Sequence, residues 1–198
     1  MFFTKILETR QSKFNGNIRV LKTLGMGVYI QSEGLTQSGG IVSTIWKTTL
    51  SKIRSTNIEI RKVLILGLGG GTVAKIVREY YPTAKITGVD IDPIMIELGE
   101  KYLNLKADKI YIQDACKVVP GKFDLVIVDL YQGDKFPKKF ESEKFLQLLA
   151  KNNLVIFNRL YYKNKKEESL EFGKKLQKYF KKVDCYYPPA NLMFVCYN

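Results

Sequence analysis

Polar and apolar residues alternate in NIRVLKT and again in VYIQS, and the LGMG between them supplies glycines for a tight turn. The pattern predicts a β-hairpin over residues 17–31. EGLTQSGG then breaks the alternation. VSTIWKTTLSKIRS carries apolar residues at helical spacing, with Ser43 or Thr44 near its start as a cap. From Arg61 the period changes again, to strand and helix in turn: KVLILGL, GTVAKIVREYY, KITGVDI, PIMIELGEKYL, KIYIQD, FDLVIVDL, ESEKFLQLLA and NLVIFN. Unbroken apolar runs such as VLIL and LVIV, joined by helices, are what a parallel sheet covered on both faces requires.

A lysine-rich helix follows, from about Glu167 to Phe180, and then VDCYY and NLMFVCY, joined by Pro188 to Asn191. That connection is too short for a crossover helix, so the last two strands are expected to be antiparallel. The predicted fold is α/β and doubly wound: a mostly parallel, seven-stranded sheet of class I methyltransferase type, ending in an antiparallel hairpin. Residues 1–40 are expected to form a small N-terminal β subdomain and residues 41–198 the Rossmann-like domain.

The candidate chemistry lies at the strand ends. Gly67, Gly69, Gly70 and Gly71 fall where the first strand of the repeat meets its helix, where side chains would keep a nucleotide from backbone N–H groups. The run departs from a GxGxxG fingerprint, having Thr72 at the last position, and no Gly-Lys-Ser/Thr follows it. Asp90, with Ile91 after it, ends the second strand, where a carboxylate can accept both ribose hydroxyls of an adenosine. Asp92 and Pro93 read as the cap and first position of the next helix. Asp114 is either a cap or the acceptor for an adenine amino group, with Ala115 leaving room for the ring. Asp129 ends the fourth strand, and Asp129, or Tyr131 beside it, is expected to take a proton if the acceptor must lose one. Three carboxylates around one crevice disfavour a phosphate-rich cofactor and favour a cationic sulfonium nucleoside.

The chain has 198 residues, 32 Lys plus Arg, 19 Asp plus Glu and no histidine. Histidine-dependent nucleophile pairs, His-ligated metals and a histidine base are therefore excluded. Three separated cysteines support neither a disulfide framework nor a zinc knuckle, and no metal is expected. No apolar run approaches a membrane span, so a cytoplasmic protein without a membrane partner is expected. The net charge is +5 over residues 1–60, +1 over 61–130 and +7 over 131–198. The near-neutral centre is the cofactor region, and the basic flanks suggest a neutral or anionic acceptor. Lysines between Lys163 and Lys182 are either the solvated face of a helix or phosphate contacts for RNA, the former being favoured. A homodimer is compatible with such a chain.

VLILGLGGGTVAKIV, ITGVDIDPIMIELGEKYL, IQDA and FDLVIVDLY resemble the spermidine synthase group, aminopropyltransferases on the class I methyltransferase fold. The N-terminal hairpin, GLTQSG and the Trp-containing helix resemble that group's small β domain and gate segment. The resemblance implies that Gln37, Asp90 and Asp114 contact the cofactor, S-adenosylmethionine or its decarboxylated form, and that Asp129 helps deprotonate an attacking amine. The departures are specific. Gly70 stands where the group has an aspartate for the decarboxylated cofactor's amine, Gln132 where it has a second acid, and Trp46-Lys47-Thr48 where it has Tyr-His-Glu. A polycation needs carboxylates to replace its hydration, so the expected activity is alkyl transfer, methyl favoured, to a small-molecule acceptor. Aminopropyl transfer, with Asp134 or Glu141 supplying the missing acid, is the alternative. A non-catalytic or RNA-associated protein is the third reading.

Overall fold

A computed structural model describes residues 3–55, 58–118 and 121–198. The fold is α/β, with two separate sheets. The first is antiparallel: β1 (Thr4–Ser12), β2 (Gly16–Thr23), β3 (Gly27–Ser32) and β4 (Leu35–Gly39), in the order β1-β2-β3-β4. The expected hairpin is its centre, pairing Ile18 with Ser32 and Leu21 with Tyr29. The sheet is larger than the alternation indicated. TKILETRQS forms an outer strand, and LTQSG, which reads as a loop, is a strand paired with β3 through an irregular register.

Helix α1 (Gly40–Arg54) starts three residues before Ser43, directly at the end of β4. Its N-cap is Gly39, at φ 76°, and makes no side-chain cap. The expected Ser43 or Thr44 cap is thus not formed. Gly39 instead donates its N–H to Thr72 Oγ1 at 2.7 Å, and a Cβ there would lie 2.5 Å from the Val28 carbonyl oxygen. Close backbone packing places this helix start, not capping chemistry.

The main sheet comprises β5 (Lys62–Leu66), β6 (Lys85–Asp90), β7 (Lys109–Ile112), β8 (Leu125–Val128), β9 (Leu154–Leu160), β10 (Lys182–Tyr186) and β11 (Asn191–Tyr197). Their order is β10-β11-β9-β8-β5-β6-β7, with β11 antiparallel to both of its neighbours and every other pair parallel. The apolar runs are continuous because both faces are buried, and successive side chains serve opposite cores. Val63 and Ile65 point to one core, Leu64 and Leu66 to the other; Leu125 and Ile127, then Val126 and Val128, divide the same way.

α1 and α2 (Thr72–Tyr80) cover the first face, α4 (Glu143–Leu149) and α5 (Lys165–Leu176) the second. α3 (Pro93–Leu103) packs Ile96 on the first core, while Met95 and Leu98 join Ile18, Val20 and Ile30 beneath the small sheet. Asp92 caps α3 through Ile94 N–H, as the VDIDP text implied, and does more. Fully buried, it also accepts from Ser12 Oγ at 2.5 Å and Asn15 Nδ2 at 2.7 Å, tying the β1–β2 turn to the end of β6.

Candidate active site

Two cavities open along the C-terminal ends of the parallel strands, where open α/β sheets bind ligands. They meet at Gln37, Asp129 and Tyr131.

The first cavity takes in Gly67, Gly69, Asp90, Ile91, Asp114 and Ala115. Gly67 sits at φ 86°, and a Cβ there would lie 2.0 Å from the Asp129 carbonyl oxygen, so the turn after β5 needs glycine to pass the end of β8. Gly69 donates its N–H to Asp90 Oδ2 at 2.7 Å, while Asp92 N–H reaches Asp90 Oδ1 at 2.9 Å. Each Asp90 oxygen keeps a lone pair for a ligand hydroxyl. Gly70 and Gly71 lie outside the cavity lining. Gly70 donates to Ser38 Oγ, and a Cβ on it would collide with Ile30, Leu103 and Ser38; one on Gly71 would strike Leu105. These two glycines bring the small sheet and the segment after α3 against the loop.

Asp114 lies two residues beyond β7 as the cap of a short 3-10 turn, residues 115–117, accepting from Cys116 N–H at 2.9 Å. Its other oxygen is held by Lys139 Nζ. Burial works against the charge on Asp114, but Lys139 and the Cys116 N–H outweigh it and keep the carboxyl below its usual range. Lys139 stands in the cavity wall, on a segment no spacing rule pointed to. That segment is latched by Arg159, which lies over the rings of Phe136 and Phe172 and pairs with Glu141 at 2.9 Å.

The second cavity is lined by Asp129, by Trp46, Ile45 and Ile41 of α1, and by Leu160 and Tyr162. Asp129 Oδ2 accepts from Trp46 Nε1 at 3.0 Å and Oδ1 from Asn158 Nδ2 at 2.8 Å; Asn158 Oδ1 in turn accepts from Asn191 Nδ2 at 2.7 Å. Desolvation pushes the Asp129 carboxyl up to about 6, against the two donors, with nearby Asp90 adding to the rise. Tyr131 is differently employed. Its hydroxyl donates to the Asn158 carbonyl and accepts from Leu160 N–H at 2.7 Å, and burial raises it well above a normal phenol.

The other acids named from the sequence stand outside both cavities. Asp134 pairs with Lys165 at 3.6 Å and Glu141 with Arg159. Gln37 joins the two cavities and donates to the Gly133 carbonyl at 3.2 Å. Sequence reasoning placed Trp46 only in a helix resembling a gate segment and passed over Asn158 and Lys139. Asn158 had a signal: with Arg159 it is polar within the strand that opens on the apolar run LVIF. Among the described residues no cluster of acids or cysteines has the makings of a metal site, and no helix is long and apolar enough to cross a membrane.

A family model described as "Spermine/spermidine synthase domain" matches residues 45–190. A polyamine aminopropyltransferase from Vibrio vulnificus is 28% identical over 116 residues, 52% of this chain and 38% of the relative. One from Clostridium botulinum is 34% identical over 135 residues, 62% and 47%. An eEF1A lysine and N-terminal methyltransferase homolog from Drosophila melanogaster is 36% identical over 102 residues, 44% and 15%. The chain thus spans less than half the length of these curated relatives. Among solved structures, spermidine synthase from Thermotoga maritima superposes with a TM-score of 0.78 at 17% identity, covering 98% of this chain and 72% of that one. Human methyltransferase-like protein 13, solved with SAH, gives 0.60 at 19% identity, covering 79% and 81%.

Proposed function

The chain belongs to the spermine/spermidine synthase family, and from that premise we propose that it is a transferase moving an alkyl group, methyl in the first instance, from S-adenosylmethionine to a small acceptor. The first cavity is the donor site. Its residues suit a cationic nucleoside: Asp90 with spare lone pairs for ribose hydroxyls, Asp114 for the adenine amino group beside small Ala115, Gly67 and Gly69 where the chain must pass close, and Asp129 at the far end. When bound, the donor supplies an electrophilic carbon on a sulfonium.

The chain's own part is to position and to handle one proton. Trp46 and Asn158 hold the Asp129 carboxylate, and Asp129 takes the proton that the acceptor loses. Tyr131 serves as a brace, fixing the segment after β8 against β9 through its engaged hydroxyl.

One observation carries the choice of methyl over aminopropyl. The decarboxylated donor brings an ammonium as well as a sulfonium, and a diamine acceptor adds two more charges. Among the described residues lining the two cavities only Asp90, Asp114 and Asp129 are acidic, and Asp114 is already paired with Lys139. The position that would anchor the donor's amine is Gly70, which carries no carboxylate and where a Cβ would press on Ile30, Leu103 and Ser38. The names of the bacterial relatives favour the second reading, aminopropyl transfer to a diamine.

Mass spectrometry of products from the two donors, each offered with a panel of amines and phenols, separates the readings. Methylated product from S-adenosylmethionine, lost in Asp90→Ala, is the expected outcome. Spermidine from the decarboxylated donor and 1,4-diaminobutane, with no methylated product, would establish the second reading instead.

A further inference from the structure

The second cavity has no assigned occupant, and its wall is selective in a way that can be read. Among the described residues lining it there is no Lys or Arg, and Asp129 is the one carboxylate. The basic flanks of the sequence pointed to a neutral or anionic acceptor, but they do not reach this wall, so an anion would lose its hydration, gain no countercharge and face Asp129. The two donors on Asp129, an indole and an amide, are neutral, so its charge is oriented by them and not compensated. Beyond Asp129 the wall turns apolar, through Ile45 and Leu160 to Ile41, which is 43% exposed at the mouth.

Charge balance sets how much cation fits. The three carboxylates of the joined cavities, less the Lys139 ammonium, leave two negative charges. S-adenosylmethionine, its amino-acid tail being zwitterionic, takes up one of them, so one remains for the acceptor.

We propose that the acceptor is a primary amine bearing a single positive charge on an apolar body, its nitrogen at Asp129 and its body along Ile45 and Ile41. This rests on the reading of the first cavity as the donor site. In the transfer the ammonium gives one proton to the Asp129 carboxylate. The freed lone pair forms the N–C bond as the C–S bond opens, and the electron pair of that bond stays on sulfur, leaving a neutral thioether and a protonated secondary amine. A diamine fails because its second ammonium would sit against isoleucine and leucine, and an alcohol fails because it leaves the Asp129 charge unmatched.

The test is isothermal titration of the full chain, saturated with sinefungin, whose amine carries the positive charge of the sulfonium, with n-hexylamine, 1,4-diaminobutane, 1-hexanol and hexanoate at pH 7.5. Hexylamine should bind at least about tenfold more tightly than each of the others, a difference of about 1.4 kcal/mol, and should give N-methylhexylamine when S-adenosylmethionine replaces sinefungin. Ile41→Asp adds a carboxylate at the exposed mouth, five residues or about 7.5 Å along α1 from Trp46. This variant should gain affinity for 1,4-diaminobutane by at least about fivefold. Equal or tighter binding of the diamine, the alcohol or hexanoate by the unmodified chain would overturn the proposal. So would silence from all four on a chain that binds sinefungin. Failure to bind sinefungin would overturn the donor-site reading as well.

Discussion

Asn158 touches no part of the expected donor, yet the pH dependence of the reaction should run through it. It donates to Asp129 Oδ1 at 2.8 Å, and hydrogen bonding of this kind favours the charged carboxylate. Asn158→Leu keeps the volume and removes the donor. A hydrogen bond to a charged group contributes about 1.5 to 3 kcal/mol, and one pKa unit corresponds to about 1.36 kcal/mol, so Asp129 should rise by about one to two units. Its value in the unaltered protein is about 6, set first by desolvation. Because Asp129 acts as a base, kcat/KM should climb with pH and level off above that value. In Asn158→Leu the climb should shift to between about pH 7 and 8, with the plateau rate preserved within a few-fold. The assay is a pH–rate profile of methyl transfer, paired with a carbon-13 NMR titration of the aspartate carboxyls. A limb that stays put or moves to lower pH would refute the reasoning. A uniform loss of rate at every pH would show Asn158 to be a packing residue only.

Other substitutions test separate parts of the account. Asp92→Ala removes a helix cap together with the bonds from Ser12 and Asn15, so it should lower stability by about 3 kcal/mol in urea unfolding; no change would mean that the β1–β2 turn is not held there. Lys139→Met frees Asp114 of a half-exposed ion pair, contacts worth about 0.2 to 1 kcal/mol, so S-adenosylhomocysteine should bind up to about fivefold more tightly by calorimetry. Weaker binding would show that Lys139 holds the nucleoside itself. Gly67→Ala sets a Cβ 2.0 Å from the Asp129 carbonyl and strains a positive φ, and should abolish donor binding and lower the melting temperature; an unchanged melting temperature would contradict the close approach seen there.

The main sheet was legible because apolar runs buried on both faces can hardly be anything else, and the proline-closed turn forced the last two strands antiparallel. The small sheet was legible only at its centre. Its outer strands, TKILETRQS and LTQSG, carry too few apolar residues to show an alternation, and they are strands because β2 and β3 offer them edges. The strand-end acids were found by position in the repeat. What those acids touch was not, because it depends on distant segments: Trp46 reaches Asp129 from α1, and Lys139 reaches Asp114 from the segment before α4. The glycine run misled in one respect. Four glycines read as one cradle, whereas Gly67 and Gly69 line the cavity and Gly70 and Gly71 make room for Ile30, Leu103 and Leu105.

The central claim is that a sulfonium nucleoside lies across the strand ends with its reacting carbon toward Asp129, and a crystal structure with S-adenosylhomocysteine tests it most directly. The expected result is ribose hydroxyls on the Asp90 carboxylate, the adenine amino group on Asp114 with Lys139 displaced, and the sulfur at the junction of the two cavities. Nucleoside density elsewhere, or none at millimolar ligand, would contradict it.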